Sequence, residues 1–191
     1  MADPLPVAGR PRPERADAAR NRERVLAAAR RLFAEHGIQA VTMDQVAREA
    51  GVAKGTVFHR FGDRAGLALA LLDEHERALQ EQVLRGPSPL GPGAPPRERL
   101  LAFLGALAEL TVEHRGLLLE VERAGPAARY RTGAYRAWLQ HTVLLLGDDD
   151  ALRAHLLLAP LAADLVWHLI EDEGAGTADL VTSLHELARR L

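Results

Sequence analysis

Residues 50–67, AGVAKGTVFHRFGDRAGL, gather a glycine turn, the chain's only lysine, a threonine, two aromatic rings, a histidine and two arginines. A catalytic loop, a phosphate-binding loop and a DNA-reading helix could each use that mixture, and spacing separates them. A loop of the G-x-x-x-x-G-K type needs its lysine after the second glycine and a strand before it. Here the order is Lys54-Gly55-Thr56, and no strand pattern precedes it. Nothing catalytic can be defended elsewhere: G-x-S-x-G and H-E-x-x-H are both absent, and Glu120 and Glu122 lie two apart, on different helix faces, and read as solvated. DNA suits the set best. Lys54, His59, Arg60 and Arg64 can meet phosphates, the hydroxyls of Thr42 and Thr56 can donate to them, and Gly55 lets backbone approach closely. Val57 and Phe61 read as the inward side of the same short helix.

These residues need helices to hold them. No β alternation is visible, and apolar residues recur at helical spacing throughout. Val25, Leu26, Ala29, Leu32 and Phe33 form a stripe ending at Gly37, a C-cap. Thr42 with Gln45 three residues on is the capping-box pattern; it opens a helix with Met43, Val46, Ala47 and Ala50 inward, stopped by Gly51. A short helix follows at 53–59, and Asp63 caps a long one reaching Leu84. GPSPLGPGAPP, residues 86–96, is a linker loop, because proline lacks the N–H and glycine costs entropy. Further helices are expected near 97–114, 117–124, 127–146, 150–172 (kinked at Pro160) and 177–190. The fold class is all-α.

Composition sets the wider limits. The 191 residues are 48% apolar, enough for a real core. There is no cysteine, which removes disulfides, thiol catalysis and cysteine zinc sites and fits a reducing, cytoplasmic setting. No apolar run is read as approaching the ~20 residues that span a bilayer, so no membrane partner is expected. Residues 1–21 read as a flexible basic arm without a signal-peptide core. The net charge of −2 hides an asymmetry: residues 1–66 hold 12 Lys and Arg against 8 Asp and Glu, and residues 67–191 hold 12 against 18. A basic first third joined to an acidic remainder puts any polyanion contact in the first third.

Two helices joined at Gly51 make a helix-turn-helix, whose second helix can enter the major groove. RVLAAARRLFAEHGIQAVTMDQVAREAGVAKGTVFHRFGDRAGL resembles the DNA-binding domain of the tetracycline-repressor (TetR) family over about residues 22–72. The resemblance rests on the LF and Gly37 of the first helix, T-x-x-x-V-A-x-x-A-G-V, K-G-T, the aromatic residues around His59-Arg60, and Asp63-Arg64. This chain departs from the family pattern in four places. Ala53 stands where serine often caps the recognition helix, Phe58 where tyrosine offers a phosphate-binding hydroxyl, Arg64 where lysine is usual, and Arg60 where histidine is common. The two arginines keep cationic groups at the phosphates.

The resemblance implies a helix-turn-helix domain over 22–66 and an effector-binding and dimerisation domain over 67–191. It implies a homodimer on a palindromic double-stranded operator, most simply a repressor, whose two reading heads lose their spacing when a small-molecule effector binds. It also implies a four-helix bundle between subunits, made by the last two helices of each. The stripe Leu180, Val181, Leu184, Leu187, Ala188 and Leu191 would lie there; burial within one chain is the alternative.

In the larger domain, Tyr130, Tyr135, Trp138, His141, Asp164, Trp167 and His168 stand out because aromatics make up only 4% of the chain. Trp138 with His141, and Asp164 with His168, share helix faces. They read either as pocket walls for an effector or as ordinary core. Asp164 and His168 are too few to argue for a metal, and no cofactor is implied. Two rival readings stay open: a regulator without an effector, and an all-α small-molecule-binding protein or enzyme whose basic head is incidental.

Overall fold

A computed structural model describes residues 13–147 and 151–190, with side chains from Asp17 onward, and no strand occurs among them. The chain divides at Asp63/Arg64 into two units, three residues before the expected boundary.

The first unit holds three helices, α1 (Pro13–His36), α2 (Met43–Ala50) and α3 (Lys54–Phe61). Residues 13–21, expected as part of an arm, belong to α1. Proline is favoured in a first turn because its N–H has no helical partner there, and the alanine- and arginine-rich run after it propagates a helix well. Arg20 and Asp17 pair one turn apart. The remainder of the expected arm, residues 1–12, lies outside the described residues. Val25, Leu26, Ala29 and Phe33 of α1 are buried, as are Val46, Ala47 and Ala50 of α2 and Val57 of α3, with α1 packed on α2 and α2 on α3. Leu32, expected in the same stripe, is half-buried.

The capping box forms as expected: Thr42 Oγ1 accepts from the Gln45 N–H at 3.3 Å, and the Thr42 N–H donates to Gln45 Oε1 at 2.7 Å. Gly51 sits at φ +62, in the left-handed region, and ends α2. A side chain there would be strained and would also meet the Arg24 guanidinium. Arg24 donates to the Gly51 carbonyl at 3.1 Å, and Arg31 pairs with Glu49, so two α1 arginines fasten the turn.

The second unit runs α4 (Arg64–Arg85), α5 (Pro96–Glu113), α6 (Arg115–Glu122), α7 (Ala128–Arg131), α8 (Gly133–Leu146), α9 (Ala151–Leu158), α10 (Ala163–Trp167) and α11 (Thr177–Arg190). α4 lies on α6, and α5 lies between α11 and α8. Phe103, Leu104, Leu157, Val166 and Leu184 fill the centre. The loop between α4 and α5 folds back on itself. Gly91 donates to the Pro87 carbonyl at 2.9 Å. A Cβ on Gly91 would stand 1.8 Å from the Gly86 oxygen, so that approach demands glycine.

Two expected helices are broken. The segment 127–146 divides at Thr132, whose hydroxyl accepts from the Tyr135 N–H at 3.1 Å and starts α8. The segment 150–172 is interrupted rather than kinked. Pro160 cannot donate to the ladder, residues 159–161 form a 3₁₀ turn, and Ala162 is extended at φ −64, ψ 135 before α10 begins. Residues 151–172 are, by length and composition, apolar enough to cross a membrane, contrary to the sequence reading. Here their interruption lets Leu157, Leu158, Leu161 and Val166 turn into the core.

Candidate nucleic-acid interface and effector cavity

Seven of the eight residues of α3 avoid burial, and Val57 alone is fully buried. One anchoring valine and a stable α2 hold the short helix by its inner side, leaving Lys54, Gly55, Thr56, Phe58, His59 and Arg60 exposed. Phe61, expected in the core, is half-buried at the end of the helix. Ala53 provides no side-chain cap, as its type requires. Lys54 Nζ rests 2.8 Å from Asp44 and 5.5 Å above the Phe58 ring, while Arg60 donates to the Ala18 carbonyl at 3.0 Å. Both cationic groups are held by solvent-exposed contacts, which are weak, so a phosphate can take them over. Nothing lies within 4 Å of where a Gly55 Cβ would stand, so the surface above it is open. Thr42 is exposed, but its hydroxyl proton is given to Gln45 Oε1 at 2.8 Å.

Arg64 departs from expectation. Its Nε donates to Glu120 at 2.6 Å, and that carboxylate is 9% exposed. A buried carboxylate needs a cation beside it, so the guanidinium expected at phosphate is engaged inside the second unit. The expectation that Glu120 and Glu122 are solvated fails with it. Glu122 accepts from Arg129 at 3.3 Å and from the Ala163 N–H at 2.9 Å. Burial pushes the Glu122 carboxyl up from the usual range, and Arg129 opposes that.

Arg129 and Glu122 stand on the wall of a cavity of about 50 Å³ inside the second unit. Leu69, Leu72 and Glu76 of α4 form one side, and Tyr135 and Trp138 of α8 form another. Arg129 also donates to the Leu158 carbonyl at 2.8 Å and lies 5.3 Å over the Tyr135 ring, whose hydroxyl bonds His155 Nδ1 at 2.7 Å. Burial raises the Tyr135 hydroxyl above its ordinary value. Glu76 is the exceptional group: burial first, and the Asp73 charge second, push its carboxyl up to about 7.

Of the seven residues expected at a pocket, Tyr135 and Trp138 line the cavity and the other five do not; Tyr130 is exposed and packs edge-on to Tyr135 with centroids 5.0 Å apart. His141 packs its edge on Phe103 with centroids 4.9 Å apart, and burial, helped by Arg99, lowers its pKa. Asp164 accepts from the Leu165 N–H at 2.8 Å, on the surface where α10 restarts the chain. Trp167 is exposed, with Arg115 5.7 Å over its ring. His168 pairs forward with Asp172 at 2.9 Å rather than back with Asp164, and that bond raises its pKa. Asp172 lies four residues on, within the π-helical turn His168–Asp172. The missed wall residues left one legible signal: Glu76 interrupts the α4 stripe Leu69, Leu72, Leu79, Val83, where a carboxylate does not belong.

The expected dimer stripe also divides. Leu180 and Leu184, 7% and 2% exposed, face their own core because α11 packs on α5. Val181 is packed against that core, and so is Ala188; Leu191 lies outside the described residues. Among the described residues of the stripe Leu187 is the exposed leucine; Leu144 of α8 and Leu152 and Leu156 of α9 are also exposed, and α9 touches both α8 and α11.

Residues 25–71 match the model of the tetR family of bacterial regulatory proteins. The HTH-type transcriptional repressor AcnR of Corynebacterium glutamicum is 40% identical over 63 residues, 33% of this chain and 34% of that protein. The chain thus matches about a third of the length of the curated AcnR repressors. Along the whole fold, a TetR-family regulator from Pectobacterium atrosepticum superposes with a TM-score of 0.66 at 24% identity, covering 95% of this chain and 97% of that one. FadR from Bacillus subtilis, solved with stearoyl-CoA, gives 0.61 at 18% identity over 87% and 96%. The matched segment runs from within α1 through α3 into the start of α4, so the outward α3 carried on a capped α2 is the part of this chain that is similar to the tetR family of bacterial regulatory proteins, and the rest shares the fold of the solved structures.

Proposed function

We propose that this protein is a transcriptional regulator, a repressor in its simplest form, that holds a palindromic operator as a homodimer and releases it when a small molecule enters the second unit. The observation that carries the DNA reading is α3 itself, a helix with one buried residue and a face of Lys54, Gly55, Thr56, His59 and Arg60 left to solvent. A short helix anchored by Val57, with Phe61 half-buried, has no packing reason to carry that set on its outer face. In the major groove, Lys54, His59 and Arg60 meet phosphates, and the Phe58 ring, which has no hydroxyl, suits a thymine methyl. AcnR's description as a repressor supports the direction of regulation.

The effector reading rests on the cavity at Tyr135, Trp138, Glu122 and Arg129, and the stearoyl-CoA bound to FadR supports ligand binding in this fold. About 50 Å³ holds only a few waters. An effector must therefore enlarge the cavity, and α4, which supplies Leu69, Leu72 and Glu76, continues directly from the DNA-binding unit in sequence. Such a ligand acts through its differential affinity for the two conformations. For the dimer, exposed Leu144, Leu152, Leu156 and Leu187 lie on α8, α9 and α11, and α9 touches both others, which supports a two-fold interface there. Two heads would then meet half-sites about 34–36 Å apart.

The test is selection of genomic fragments by the purified protein, followed by binding titrations at increasing salt. An enriched palindrome whose affinity falls steeply with salt is expected, because phosphate neutralisation releases counterions. Failure to enrich any sequence at moderate salt would overturn the reading.

A further inference from the structure

The geometry points to a hydrophobic cation, of the quaternary-ammonium or bulky-amine class, as the effector that fills this cavity, with Glu76 as its counter-ion. The inference rests on the ligand-responsive reading above and adds the chemistry of the ligand. Three charged groups line the wall, namely Glu76, Glu122 and Arg129. Arg129 is already spent: it pairs with Glu122, donates to the Leu158 carbonyl and covers the Tyr135 ring. Glu122 is satisfied in turn by Arg129 and by the Ala163 N–H. That leaves Glu76 on α4, among Leu69 and Leu72, and no described cation acts on its carboxyl.

With Glu76 ionised, the wall therefore carries one excess negative charge in an apolar setting. An anionic ligand would bring a second negative charge to Glu76 and would have to displace Glu122 from Arg129. A neutral ligand would leave the half-buried, ionised Glu76 without a partner and further from water, which costs free energy. A cation removes both penalties. Trp138 adds an aromatic face of the kind that holds ammonium groups.

Asp73, on the same helix, is the charge that acts on Glu76, while Glu122 from α6, Arg129 from α7 and the Tyr135 hydroxyl from α8 share its cavity. Asp73 adds to the burial that holds the Glu76 carboxyl near 7. A permanent cation should therefore bind better as pH rises from 6 to 8, since the ionised fraction grows about tenfold over that interval.

Isothermal titration of the full-length protein, without DNA, against benzyltrimethylammonium, its neutral isostere neopentylbenzene and the anion phenylacetate tests this. The cation should bind tightest, gain about tenfold between pH 6 and pH 8, and lose both its advantage and its pH dependence in Glu76→Gln. If that variant fails to fold, as judged by its melting curve, the three-ligand ranking on the wild type decides. Equal or tighter binding of the neutral or anionic probe overturns the assignment, and so does a pH dependence that survives in Glu76→Gln, which would place the charge at Glu122. Operator release is measured separately: a cation that binds as stated without releasing DNA refutes the ligand-responsive reading and leaves the assignment standing.

Discussion

Glutamine in place of Glu76 should make this protein more stable, and only above mildly acidic pH. The native carboxyl titrates near 7 rather than at its ordinary 4.5, because burial and Asp73 disfavour the charged form. A group whose native pKa is raised binds more protons folded than unfolded, so stability falls as pH rises between those two values. Its destabilising contribution is absent below 4.5, grows from there to about 7, and is complete above 7. Each pKa unit corresponds to about 1.4 kcal/mol. The full shift would reach about 3 kcal/mol, and because Glu76 is only half-buried, water screening reduces that to about 2 kcal/mol. Glutamine keeps the shape and carries no charge. Urea unfolding at pH 4.5 should therefore leave wild type and Glu76→Gln nearly alike, and at pH 8 the variant should lead by about 2 kcal/mol. A constant difference across that range, or a variant less stable at pH 8, would mean that Glu76 is either solvated or held by a cation, and the cavity argument would fail with it.

Lys54→Ala and Arg60→Ala should each weaken operator binding and reduce its salt dependence, while shifting stability by no more than ~0.5 kcal/mol, since both side chains make only exposed contacts; fluorescence anisotropy and thermal melts check this. Thr42→Ala removes the capping box of α2 and should cost ~1 kcal/mol by chemical denaturation. Leu156→Glu should give a folded monomer by sedimentation that no longer binds a full operator, whereas Leu184→Glu should fail to fold, because that leucine is sealed in its own subunit's core.

How much of this was legible in advance follows from the range of the forces involved. The helix-turn-helix was readable because its determinants are local. Thr42 and Gln45 cap their own helix, Gly51 alone supplies the left-handed turn, and apolar spacing assigns Val46 and Val57 to the inside. The family resemblance lay in the same short segment for the same reason. The interruption at Pro160 was half legible: a missing N–H predicts a defect, but whether the chain bends or restarts depends on which side chains it then buries. The cavity was not legible, since Glu76, Glu122, Arg129 and Tyr135 are brought together by packing among α4, α6, α7 and α8, and charge pairing across that distance leaves no spacing in the sequence. Spacing put Asp164 beside His168, yet Asp172 stands at the same spacing on the other side and takes the histidine, while Asp164 accepts from the Leu165 N–H. The α11 stripe was read correctly as apolar, but only the neighbour α5 could decide that Leu180 and Leu184 serve their own subunit. Periodicity tells which face of a helix avoids water, and tertiary structure alone says what covers it.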